Sequence, residues 1–148
     1  MIYIGVDPGK SGALACIYED GVVEVVSFET GLYKTIMHGV SDLGSESVRC
    51  CIERVSAMPG QGVTSMFTFG QNYGWLLGQL DAYDIPYETV LPKKWKAEFG
   101  LTGDKASSVE VCKRLFPKVS LLRSERCRKD DDGMAEALLL AEYARRKM

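Results

Sequence analysis

Met1-Ile2-Tyr3-Ile4-Gly5-Val6-Asp7-Pro8-Gly9 is the stretch on which the fold turns. A short apolar run rich in strand formers, closed by an acid and then by Pro-Gly, reads as a buried strand entering a tight turn, with Asp7 at its C-terminal end. A second run of the same kind, Val48-Arg49-Cys50-Cys51-Ile52-Glu53, stops before the loop Ser56-Ala57-Met58-Pro59-Gly60-Gln61-Gly62. If these strands are parallel neighbours, Asp7 and Glu53 emerge on the same rim of one sheet.

Two further acids lie near the C-terminus, in Asp130-Asp131-Asp132-Gly133-Met134-Ala135-Glu136-Ala137-Leu138-Leu139-Leu140-Ala141-Glu142-Tyr143. Asp132 and Glu136 are one helical turn apart and share a face, which continues through Leu139, Leu140 and Tyr143. These two carboxylates therefore face the protein body. Burying unpaired charge costs several kcal/mol or forces protonation, so inward-facing acids need a counter-charge. The helix face offers no Arg or Lys, which leaves a cation. Each acid has a plainer reading: Asp7 as a turn residue, Glu53-Arg54 as a surface pair, Asp130 and Asp131 as a solvated helix start favoured by the helix dipole. Four acids at matching element ends favour the divalent-metal site, and sites of this type usually cut phosphodiesters.

Composition agrees with a folded, reduced protein. The 148 residues are 46% hydrophobic and 26% charged, which suits one domain with its own core and argues against disorder. A net charge of -2 counts against nonspecific coating of nucleic acid, yet the cations are unevenly placed. Lys93, Lys94, Lys96 and Lys105 surround Trp95, and Arg123, Arg126, Arg128 and Lys129 precede the acidic run. Such segments suit phosphate neutralisation without base reading; the plainer account is solvated loops, with Trp95 covering an edge. Cys16, Cys50, Cys51, Cys112 and Cys127 lack zinc-type spacing, so an intracellular protein with small core cysteines is expected. Neither a secretory leader nor a membrane-length apolar run is visible.

The remaining elements follow in order. Ala13 to Tyr18, a turn at Glu19-Asp20-Gly21, and Val22 to Phe28 predict an antiparallel hairpin. Helices are predicted over Tyr33–Leu43, Ser65–Tyr83 and Lys105–Phe116, the last capped by Asp104, with a strand Tyr87–Leu91 stopped by Pro92 and a final helix after a basic loop. Leu76, Leu77 and Leu80 mark the apolar side of the second helix. Gly70, Gly74 and Gly78 strip another stripe of it bare, at about 1 kcal/mol each relative to alanine, so another backbone is expected against it. The sheet, a symmetry mate and DNA are the candidates, the sheet being the plainest.

The order β-β-β-α-β-α-β-α-α, with acids on strands one and four and an acidic last helix, resembles the ribonuclease H-like fold: α/β, a mixed five-stranded sheet with helices on both faces. Within it the chain resembles RuvC-type Holliday junction resolvases, particularly the compact forms of bacteriophages and their hosts. The resemblance rests on Gly5-Val6-Asp7-Pro8-Gly9 with Ser11-Gly12-Ala13, Ile52-Glu53, Gly70-Gln71-Asn72-Tyr73-Gly74, Lys105, and Asp132-Gly133-Met134-Ala135-Glu136-Ala137-Leu138.

That resemblance implies a single nuclease domain over 1–148, acting in the cytoplasm of a bacterial or phage-infected cell. It implies a homodimer, formed through the helix around Gly70, Gly74 and Gly78, that cuts two opposing strands of a four-way DNA junction. Asp7, Glu53, Asp132 and Glu136 take the metal-binding positions, holding Mg²⁺ with Mn²⁺ as a substitute. In a two-metal arrangement Asp7 bridges, Glu53 and Asp132 each hold one ion, and Glu136 completes the second site or orients a water. Lys105 is placed to stabilise charge developing at a phosphate; a surface lysine is its plainer reading.

The chain also departs from the family. Members often place the last two acids three residues apart, against four here. Where some bacterial members have an aromatic after the second acid, this chain has Ser56, leaving Met58, Phe67 or Phe69 as a wedge. Competing expectations are a broader nuclease of forks, flaps and three-way junctions, and a noncatalytic junction-binding module. A third is an actin/hexokinase-like ATP-binding fragment in which Gly9-Lys10-Ser11-Gly12 cradles phosphate, although 148 residues are few for two such lobes.

Overall fold

The structure, a computed structural model, describes residues 1–148 apart from Lys10, and for Lys105 the backbone but not the side chain. Its elements are β1 (Ile2–Asp7), β2 (Ala13–Ile17), β3 (Val23–Ser27), α1 (Leu32–Ser41), β4 (Val48–Glu53), α2 (Val63–Ala82), β5 (Tyr87–Val90), α3 (Pro92–Glu98), α4 (Lys105–Leu115) and α5 (Asp132–Lys147). Among the described residues the strands form one five-stranded sheet of order β3-β2-β1-β4-β5. The first three strands run antiparallel, β2 and β3 being joined through the turn at Gly21, whose φ of 87° suits glycine. β4 and β5 run parallel to β1 on its other side.

Strand alternation divides the core into two layers. Ile4, Val6, Leu14, Cys16, Cys50 and Ile52 face α1 and α2, where they meet Tyr33, Met37, Val40, Leu76 and Leu80. Ala13, Ala15, Ile17, Cys51 and Val90 face α3, α4 and α5. Cys50 and Cys51 thus lie in opposite layers, as their adjacent strand positions require. Burial pushes the Cys51 thiol up to about 12, in keeping with a packing role.

From Ala137 to Ala144 α5 is covered on all sides, and Leu138, Leu139 and Leu140 are fully buried. Each such leucine stabilises the fold by about 1.5–3 kcal/mol. A helix with a single apolar stripe would expose its outer side; α5 does not, because α4 packs over it. On the inner side α5 crosses β1 at Gly5. A Cβ on Gly5 would lie 2.0 Å from the Ala137 carbonyl oxygen and 2.2 Å from the Ala141 nitrogen, so backbone meets backbone at that crossing. This approach sets the depth at which α5 delivers its first turn to the end of β1.

Three expectations are revised. Pro92 stops β5 but also opens α3: at the first helical position its missing N–H is not needed and its fixed φ is already helical. Trp95 does not cover an edge; it lies in α3 and is fully buried. The glycine stripe of α2 does not pack on the sheet, for a Cβ on Gly70, Gly74 or Gly78 would meet nothing within 4 Å. The leucines of α2 take the sheet-facing side, and the glycines point away from it.

Candidate metal centre

Parallel pairing of β1 with β4 puts Val6 opposite Ile52, so the next residues, Asp7 and Glu53, end together at one rim. Alternation places both on the face covered by α5. The first turns of α5 then bring Glu136 to them. Oxygens of Asp7, Glu53 and Glu136 all lie within 4.8 Å of one another. These residues are far apart in sequence and share no local motif; the sheet register and the Gly5 crossing bring them together.

The electrostatics of this group differ from those of other buried acids in the protein. Asp7 is only 8% exposed. Burial, followed by the charges of Glu136 and Glu53, raises its carboxyl well above the ordinary value; the Gly9 backbone N–H, 3.3 Å from Oδ1, opposes the shift. Burial also raises Glu53, offset by a hydrogen bond from Trp95 and by the charge of Lys96. Glu142 makes the contrast. Burial pushes it up too, but Arg145 and Arg146 donate to it at 2.6–2.9 Å and hold it below the usual range. Asp131 likewise faces Arg123 at 3.2 Å, and Asp130 faces Lys113 at 2.5 Å. The fold matches these acids with cations at short range; at the rim three acids converge on one another, with Lys96 3.9 Å from Glu136.

Asp131 also departs from the solvated-start reading. It is buried and caps α5, its Oδ1 accepting from the Met134 backbone N–H at 3.0 Å. Asp132, the first residue of α5, is half-buried and adds to the raising of Asp7, but lies outside the group of three converging oxygens. It is Gly133 that abuts Asp7: a Cβ there would lie 3.0 Å from Asp7 Oδ2 and 2.5 Å from the Ser11 carbonyl oxygen. Lys10, of the Gly9–Gly12 segment, and the Lys105 side chain lie outside the described residues; α4 does begin at Lys105, with Asp104 capping it through Ala106.

Trp95 and Lys96, read in the sequence only as part of a cationic segment, reach the acids themselves. Trp95 Nε1 donates to Glu53 Oε2 at 3.0 Å, and Lys96 Nζ lies 3.9 Å from Glu136 Oε1. The expected lack of a nearby cation holds along α5 itself, but α3 supplies one from across the rim. The sequence signal was Pro92 preceding Lys93-Lys94-Trp95-Lys96, a pattern that starts a helix as readily as it ends a strand.

The donor set fits a hard divalent cation. It is all carboxylate oxygen, it converges, and it is partly withdrawn from water, so a cation there would relieve both repulsion and desolvation. Mg²⁺ and Mn²⁺ suit such oxygens.

No family model matches the sequence, and no curated protein matches it. Solved structures do. Thermus thermophilus RuvC in complex with Holliday junction substrate matches with a TM-score of 0.61 at 15% identity, over 99% of this chain and 97% of that one. A second Thermus thermophilus RuvC structure matches with a TM-score of 0.53 at 17% identity, over 99% and 96%. No helix among the described residues is long and apolar enough to cross a membrane. The mixed sheet, the order of its strands and the helices on both faces are those of the ribonuclease H-like fold, which this chain shares with RuvC.

Proposed function

We propose that this chain, acting as a single nuclease domain over residues 1–148, is a divalent-metal-dependent endodeoxyribonuclease that resolves four-way DNA junctions as a homodimer. The observation that carries this reading is the convergence of Asp7, Glu53 and Glu136 within 4.8 Å at the sheet rim of a fold shared with a RuvC bound to a Holliday junction.

Asp7, Glu53 and Glu136 would hold the cation, and Asp132, outside their 4.8 Å group, would complete the ligand set from the start of α5. Bound Mg²⁺ or Mn²⁺ supplies activation of the attacking water and stabilisation of the departing 3′-oxygen. The protein contributes position and charge. Asp7 holds its carboxylate largely out of bulk water. Lys96 balances Glu136 from α3, and Lys105 is assigned to the charge that develops on the phosphate. Exposed Lys93 and Lys94, on the same short helix as Lys96, neutralise neighbouring backbone phosphates.

The test is a matched cleavage panel of four-way junction, three-way junction, flap and linear duplex in Mg²⁺. Symmetric nicks confined to the four-way junction are expected. Comparable cutting of every branched form would replace resolution with general debranching, and binding without cutting in either Mg²⁺ or Mn²⁺ would leave a noncatalytic junction-binding module.

The dimer is assigned to α2. Its glycine stripe is open, and Val63, Phe67 and Trp75 are 87%, 72% and 46% exposed. Bare backbone beside exposed apolar side chains suits close helix-to-helix approach. Gly74→Arg places a charged side chain into that space without meeting anything in its own chain. Light scattering should show the wild type as a dimer and the variant as a folded monomer; a dimeric variant would move the interface elsewhere.

A further inference from the structure

Trp95 has a polar group that core packing alone does not explain. Its ring is fully buried, edge-on to Phe99 at 6.5 Å, with the Lys96 ammonium 5.5 Å from the ring centre. Yet its one donor is directed at a carboxylate 42 residues away in sequence, Glu53 Oε2, at 3.0 Å. An indole N–H can only donate, and a buried ring has little freedom to rotate, so this contact restricts how the Glu53 carboxylate can turn. Pro92 fixes where α3 starts, and one turn later the helix presents Trp95 to Glu53 and Lys96 to Glu136. Adjacent residues of a short helix thus hold two of the three converging acids.

We propose that Trp95 is a positioning residue of the metal centre: its indole N–H fixes the rotation of the Glu53 carboxylate, and so the direction in which Glu53 meets a divalent cation shared with Asp7 and Glu136. This rests on the metal-centre reading above. Groups that orient ligands in this way typically change metal affinity by about 10–100-fold when removed.

Calorimetric titration with Mg²⁺ and Mn²⁺ tests it in the wild type, Trp95→Phe, Phe99→Leu and Asp7→Asn. Trp95→Phe keeps an aromatic ring and loses the donor; a fall in affinity of about 10–100-fold is expected. Phe99→Leu loosens the packing around the indole and keeps the donor, so it should retain wild-type affinity even where its thermal midpoint drops. A folded Trp95→Phe protein with wild-type affinity overturns the proposal. A wild type that binds no metal, or binds it equally after Asp7→Asn, overturns the metal centre instead. A second measurement needs no folded Trp95 variant. The Trp95 Nε1–H resonance, distinguished from that of Trp75 by Trp75→Phe, should shift when Mg²⁺ saturates the wild type; an unmoved resonance also overturns the proposal.

Discussion

Asp7→Asn should lower cleavage of four-way junctions in Mg²⁺ by orders of magnitude while binding of the junction is kept or strengthened. The two effects have one cause. Asp7 is the most buried of the three converging acids, and its charge is disfavoured by burial and then by Glu136 and Glu53. A neutral amide removes that repulsion, and with it the strongest reason for a cation to occupy the rim. Normal cleavage by the variant would sink the proposed active site.

The same substitution should change how stability depends on pH in metal-free buffer. In the folded protein both Asp7 and Glu53 titrate above their ordinary values of 3.8 and 4.5. From those values up to the raised ones, the folded state binds more protons than the unfolded chain. Stability is therefore greatest on the acidic side of that window and falls as pH rises through it. With one titrating acid removed, Asp7→Asn should show a shallower fall and a higher thermal midpoint at neutral pH. Added Mg²⁺ should raise the wild-type midpoint there and leave that of the variant nearly unmoved. Thermal unfolding across pH, with and without Mg²⁺, reads all three.

Gly5→Ala should cost about 3 kcal/mol or more, an unusually large loss for one methyl group. The added Cβ would lie 2.0 Å and 2.2 Å from backbone atoms of Ala137 and Ala141, which no rotamer change can relieve. α5 would have to lift from β1, loosening contact between two elements at the centre of the fold. For a chain of this size the loss lowers the thermal midpoint by about 6–12 °C. Since α5 also carries Glu136, the folded fraction should bind metal more weakly than the wild type. Denaturant unfolding measures the first effect and calorimetry the second. An unchanged unfolding midpoint would show that α5 does not cross β1 at the depth described.

Local order was largely legible along the chain. Strand-forming runs ending in Asp7 and Glu53, the hairpin, the Asp104 cap and the final helix all leave signals within a few residues, because alternation, capping and turn chemistry are local effects. The parallel β1–β4 pairing was conditional on the sequence and is now observed, with both acids at one rim. Harder to read was Pro92: proline both ends strands and begins helices, and only the packing of Trp95 beneath the rim selects the helix here.

By itself the sequence determined the acids, the order of elements apart from α3, and the need for a counter-charge. Tertiary structure decided which acids meet. Glu136 reaches Asp7 and Glu53 because Gly5 lets α5 come down to β1, while Asp132, at the start of that helix, lies outside their 4.8 Å group. Tertiary structure also turned the glycines of α2 outward and set Trp95 and Lys96 against two of the acids. The reason is physical: a carboxylate's identity is written at one position, but its distance from another depends on register, helix depth and steric clearance, which residues remote in sequence fix together.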